Sequence, residues 1–119
     1  MGETYLLVKV RAIAGTKYEE VRLLVDTGAT YSWISREILE RLGVKPVRKM
    51  RFKTIKGDIT EREVGHVLVE CDNEEAPTTV VFAENRDGSV FGLHGLESLG
   101  LEVDPITQQV RKSEALLAL

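Results

Sequence analysis

Leu23-Leu24-Val25-Asp26-Thr27-Gly28-Ala29-Thr30 is the stretch whose reading decides the fold. An apolar run ends in an acid, and the chain then turns at a glycine. Leu23 to Val25 read as a buried strand that delivers Asp26. A carboxylate placed there is held by backbone and still reaches a cleft. Asp and Gly are also ordinary turn residues, so the tripeptide alone fits a plain strand-ending turn as well. The chain holds one copy of Asp-Thr-Gly. Chemistry in which two carboxylates share a proton needs two acids. A chain using Asp26 that way must borrow the second from another subunit.

A second strand-to-glycine junction stands at Val90-Phe91-Gly92, followed by Leu93-His94-Gly95-Leu96-Glu97-Ser98-Leu99-Gly100. Two apolar residues, a glycine and a short helix closed by glycine form the other half of a pepsin-like lobe. With these residues the chain resembles the retropepsin-like aspartic peptidases, single-lobe dimeric relatives of pepsin. Val25 to Arg36, VDTGATYSWISR, and Gly92 to Val110, GLHGLESLGLEVDPITQQV, are similar to the small prokaryotic members. The resemblance runs from about Tyr5 to Val110.

Size and composition fit this. One hundred and nineteen residues make one domain, 1–119. Hydrophobic residues are 43% and charged residues 29%, an ordinary globular balance. Aromatics are 6%, so the core must be mostly Val, Leu and Ile. A net charge of -3 argues against nucleic acid as a partner. No apolar run is long enough to span a membrane, so no membrane partner is expected. Met1-Gly2-Glu3-Thr4 does not begin a secretory signal. Cys71 is the single cysteine and fits a reducing compartment, so the expected location is cytoplasmic.

Alternation predicts strands over Tyr5–Ile13, Tyr18–Val25, Tyr31–Ile34, Val47–Ile55, Ile59–Asp72, Thr78–Ala83 and Val90–Phe91. Leu101–Val103 and Gln109–Arg111 flank a turn at Asp104-Pro105, and Asp72 to Pro77 reads as an acidic turn. Ser35 as N-cap and Gly43 as C′ residue bracket a helix over Arg36–Leu42. A second short helix is expected over Leu93–Leu99. Gly65 reads as a bend or bulge in its long strand, and Trp33 as a core residue. Many short strands with regular turn signals imply an all-β fold, a closed barrel with one or two short helices.

The resemblance assigns roles. Asp26 is the catalytic acid, Thr27 hydrogen-bonds across a dimer beneath it, and Gly28 permits the tight backbone. Ala29 and Thr30 take the next positions and contact substrate, Thr30 standing where Asp or Ser is commoner. Ile55-Lys56-Gly57-Asp58, running on to Ile59, form the flap, a hairpin that closes over bound peptide. Val90, Phe91 and Gly92 are structural neighbours of the acid. Retroviral members follow that glycine with Arg and then Asn or Asp, and here Leu93 and His94 stand instead. The Arg-based dimer salt bridge of those relatives is therefore absent.

Lys45, Arg48, Lys49, Arg51, Lys53 and Lys56 form a basic cluster leading to that hairpin, read first as a solvated strand face, with a taste for acidic substrates or weak nucleic-acid contact as the minority reading. His66 and His94 are isolated, so no metal and no cofactor are expected. The apolar tail after Ser113 suits a dimer contact, as a strand or as a helix. The implied protein is a homodimeric aspartic endopeptidase acting on peptide or protein substrates. A peptide-binding module on the same fold, and a monomeric structural domain, are the alternatives.

Overall fold

A computed structural model describes residues 3–114. The tail from Ala115 to Leu119, to which the sequence gives a dimer role, lies outside the described residues. β1 (Tyr5–Ala12) and β2 (Tyr18–Val25) form an antiparallel hairpin, with Tyr5 opposite Leu24 and Arg11 opposite Tyr18. Val8 and Val10 of β1 point into the core with Leu23 of β2, as the period-two pattern requires. β3 (Ser32–Ser35) leads directly into helix α1 (Arg36–Arg41). Ser35 caps that helix by accepting from the Ile38 amide at 3.2 Å, and Gly43 ends it with φ 80°.

β4 (Arg48–Lys53) and β5 (Ile59–Cys71) form a hairpin, β6 (Glu74–Ala83) follows, and β7 (Val90–Phe91) is short. α2 (Leu93–Ser98) precedes a last hairpin of β8 (Leu101–Val103) and β9 (Val110–Lys112). Six strands join in the order β1-β2-β7-β3-β6-β5, and pairing of β1 with β5 closes them into a ring. β4 hangs on β5 outside the ring. This is an all-β fold with two short helices. Phe82 and Phe91 are wholly buried within the ring beside Ile34, Leu39 and Leu96. Each side chain of that kind stabilises the fold by roughly 1.5–3 kcal/mol through lost contact with water.

Three expectations need correction. The acidic turn before β6 is two residues long, not six. Asp72 and Asn73 turn with φ of 53° and 67°, and the strand resumes at Glu74. Asp and Asn accept that left-handed backbone, which suits a two-residue hairpin loop. Pro77 suggested a turn, yet it lies in β6 opposite Leu68, before the stretch that pairs with β3. It therefore sits where β6 has one neighbouring strand, as a residue with no amide proton must.

Gly65 is no bulge, because β5 runs in unbroken register past β6 from Val64 to Cys71. A Cβ on Gly65 would stand 2.9 Å from the Lys45 carbonyl oxygen, so the glycine lets the chain after α1 cross the strand. Trp33 is the third correction. Ser32 and Ile34 fill the inward positions of β3, so Trp33 faces outward and is half-buried.

Candidate active site

β2 runs parallel to β7, pairing Leu24 with Val90 and Val25 with Phe91. The first residue past that pairing is Asp26, whose amide donates to the Phe91 carbonyl at 3.0 Å. The loop then closes on itself. The Ala29 amide donates to the Asp26 carbonyl at 3.2 Å, and the Gly28 amide donates to Asp26 Oδ1 at 2.9 Å. The carboxylate is thus oriented by its own loop and remains exposed. A Cβ on Gly28 would lie 3.2 Å from that same Oδ1, so the bare glycine keeps the amide within reach.

The segment after Gly92 laces the loop from the other side. The Leu93 amide donates to the Ala29 carbonyl at 2.8 Å and the His94 amide to the Thr30 carbonyl at 2.9 Å. Beneath them, the Gly92 amide donates to Ser32 Oγ at 3.0 Å, and Ser32 is wholly buried. Asp26 through Thr30 are therefore held at three backbone points by β7 and the start of α2, and the Gly92–Ser32 bond secures the next turn of chain. The structure brings Val90, Phe91 and Gly92 to the Asp26 loop, where the sequence expected them.

Thr27 is exposed beside Asp26, and its hydroxyl makes no hydrogen bond among the described residues. It borders a depression lined by Leu93, Leu96, Leu101 and Val103. On the opposite side of the loop, Gly28, Ala29 and Thr30 form one wall of a groove of about 410 Å³. Its far wall is Arg51, Phe52, Lys53 and Thr54 of the β4–β5 hairpin. Trp33 and Phe52 meet edge to face across its floor, 5.2 Å between centroids.

The turn between β4 and β5, where the resemblance puts the flap, spans Thr54 to Asp58. The Gly57 amide donates to the Thr54 carbonyl at 2.9 Å, and the Thr54 amide to the Asp58 carbonyl at 2.9 Å. Gly57 has φ 94°, the left-handed position of a three-residue hairpin loop. Ile55 is 107% exposed at the tip. Ile55, Lys56, Gly57 and Asp58 stand clear of the groove in this structure, whose wall on this hairpin is instead Arg51 to Thr54.

Several groups were not readable beforehand. Arg62 of β5 grips Asp87 with two hydrogen bonds, Nε at 2.7 Å and Nη2 at 3.0 Å, fixing the loop before β7 to β5. That guanidinium holds the Asp87 carboxyl below the usual carboxylate range. Arg36 similarly joins Glu63 of β5 to Glu84, at 2.8 and 3.0 Å. His94, isolated in sequence, has Nδ1 2.8 Å from the buried Thr78 hydroxyl and stacks edge-on against Tyr31. No local pattern announces these pairings, since each joins residues far apart in the sequence.

The profile of the aspartyl protease family matches residues 9–103 of this chain. No curated protein sequence matches it. Among solved structures it is similar to the EIAV protease complexed with the inhibitor HBY-793. The TM-score is 0.66 at 19% identity, over 87% of this chain and 93% of that one. It is similar also to the simian foamy virus (mac) protease, with TM-score 0.56 and 18% identity, over 79% of this chain and 92% of that one. Both likenesses are of the retropepsin fold.

Proposed function

We propose that this chain, which belongs to the aspartyl protease family, is an endopeptidase whose catalytic dyad is Asp26 from each of two identical subunits. The observation that carries the proposal is the exposed Asp26 carboxylate, oriented by the Gly28 amide in a loop pinned to β7 and α2. One chain supplies one such carboxylate. Its exposure beside Thr27 and the Leu93–Leu96 depression leaves a face on which a second copy can bring its own Asp26 close.

Two carboxylates at short range cannot both ionise cheaply, so the pair keeps one proton. The ionised member accepts a proton from a water as its oxygen bonds to the scissile carbonyl carbon. The protonated member donates to the carbonyl oxygen. On collapse of the tetrahedral intermediate the newly protonated carboxyl donates to the amide nitrogen as the C–N bond breaks, and the other carboxylate takes the hydroxyl proton, which restores the singly protonated pair and releases the amine. In the dimer, Thr27 meets the partner beneath the dyad. Ala29 and Thr30 hold extended substrate along one wall, and Ile55 to Asp58 close over it from the other. A reducing, cytoplasmic setting belongs to the same proposal and rests on the single cysteine.

The test is cleavage of an unbiased peptide mixture by wild type and by Asp26→Asn, with subunit mass measured in parallel. The substitution is nearly isosteric at an exposed site, so the fold should survive. Products from wild type and none from the variant support the reading. Equal cleavage by both overturns it.

A further inference from the structure

We propose that the groove selects extended peptides in which acidic residues alternate with apolar ones, the acidic side chains being read by Arg51 and Lys53. This deepens the endopeptidase reading and rests on it. β4 is bonded to β5 alone, so its other edge carries unpaired backbone groups. That edge is a wall of the groove, where Arg51, Phe52, Lys53 and Thr54 face the Asp26 loop. An extended peptide laid in the groove can pair with this edge as an added strand.

Such pairing fixes where each side chain goes. In a strand, successive side chains point to opposite faces, and directly opposed residues of neighbouring strands share a face. A peptide residue level with Phe52 points toward the Phe52–Trp33 pair, an apolar floor. Its neighbours on either side share the face of Arg51 and Lys53. Apolar and cationic surroundings therefore alternate along the bound peptide.

The cations are available. Arg11, Arg36, Arg41, Arg62 and Arg111 each form an ion pair. Among the described residues Arg48, Lys49, Arg51 and Lys53 of β4 form none. Glu61 and Glu63 face Arg51 and Lys49 in register, but Glu63 is taken by Arg36, and no ion pair joins Arg51 to Glu61. The acid in the groove lining, Asp87, is held by Arg62. A peptide carboxylate would therefore meet two cations with no ion-pair partner, Glu61 opposite Arg51 being the acid it has to outcompete.

The experiment is fluorescence anisotropy with full-length Asp26→Asn protein, which binds without cutting. Two labelled peptides are compared, one alternating Glu with Leu or Val and one with Gln in place of every Glu. The Glu peptide should bind about fivefold to tenfold more tightly, as two partly exposed ion pairs would give. High salt should shrink that ratio, and Arg51→Gln with Lys53→Gln should collapse it toward one. Equal binding of the two peptides, binding of neither, or a ratio indifferent to the double substitution overturns the proposal. Cleavage of the unbiased mixture by wild type judges the endopeptidase reading separately.

Discussion

Gly92 lies against the Tyr31 carbonyl so closely that a Cβ added to it would stand 2.5 Å from that oxygen and 2.8 Å from the carbonyl oxygen of Ala29. Both obstacles are backbone, and both belong to the segment that carries Asp26 away from β2. The glycine is therefore required by the approach of β7 and α2 to the acid's loop, and by nothing in its own dihedral angles, since its φ of -88° suits any residue. Gly92→Ala should destabilise the protein by at least the roughly 1–3 kcal/mol of an overpacked core. Urea denaturation measures it, and cleavage should fall with it because the displaced backbone holds Asp26.

Ser32 is the hidden partner of that junction. Its hydroxyl accepts from the buried Gly92 amide at 3.0 Å. Ser32→Ala removes one oxygen and leaves the amide dry and unpaired, which should cost about 1–3 kcal/mol. Thermal unfolding would show the loss. Cysteine at this position should recover little of it, since sulfur is a weak acceptor.

The Arg62–Asp87 pair makes a pH prediction. Arg62 lowers the Asp87 pKa below its ordinary 3.8, so the folded state binds that proton less readily than the unfolded chain. Its contribution is complete above the unfolded value and disappears as pH falls through the lower folded value. Wild type should thus lose stability on acidification below about pH 4, and Asp87→Asn should lose less over the same interval. Melting temperatures of the two proteins across that range check the sign. An unchanged difference between them at every pH would show that the pair does not titrate as described.

Ile55 is fully exposed at the flap tip and supports nothing in the folded chain. Ile55→Ser should leave stability within about 0.5 kcal/mol. If the flap closes over peptide, the same change removes apolar burial from the complex and lowers kcat/KM by about tenfold. Steady-state kinetics on a cleaved peptide, beside a melting curve, separates the two effects.

Much of the fold was legible because its signals are local. Ser35 and Gly43 bracket α1 through backbone chemistry that involves neighbours in sequence. Gly57 marks the flap turn for the same reason, by a φ that β-branched residues avoid. Leu23 to Asp26 and Val90 to Gly92 are matched to each other only through the resemblance to a known family, since their parallel pairing joins residues 66 positions apart. The misreadings share one physical origin. Pro77, Gly65 and Trp33 were judged by intrinsic preference, whereas their places depend on what crosses or flanks them. Pro77 is tolerated where β6 lacks a second neighbour, Gly65 is needed where the Lys45 backbone crosses, and Trp33 faces a groove whose other wall comes from β4. The ion pairs of Arg36 and Arg62 were hidden likewise, because each reaches a carboxylate brought near only by closure of the ring.

The central claim is that one active site takes Asp26 from two chains. The direct measurement is cleavage by wild type mixed with increasing Asp26→Asn protein, at constant total concentration and after subunit exchange. With random pairing, an equal mixture should retain roughly a quarter of wild-type activity, because only dimers with both acids are competent. A fall in simple proportion to the wild-type fraction, to about half at equal mixing, would mean that each chain cuts alone and would contradict the account.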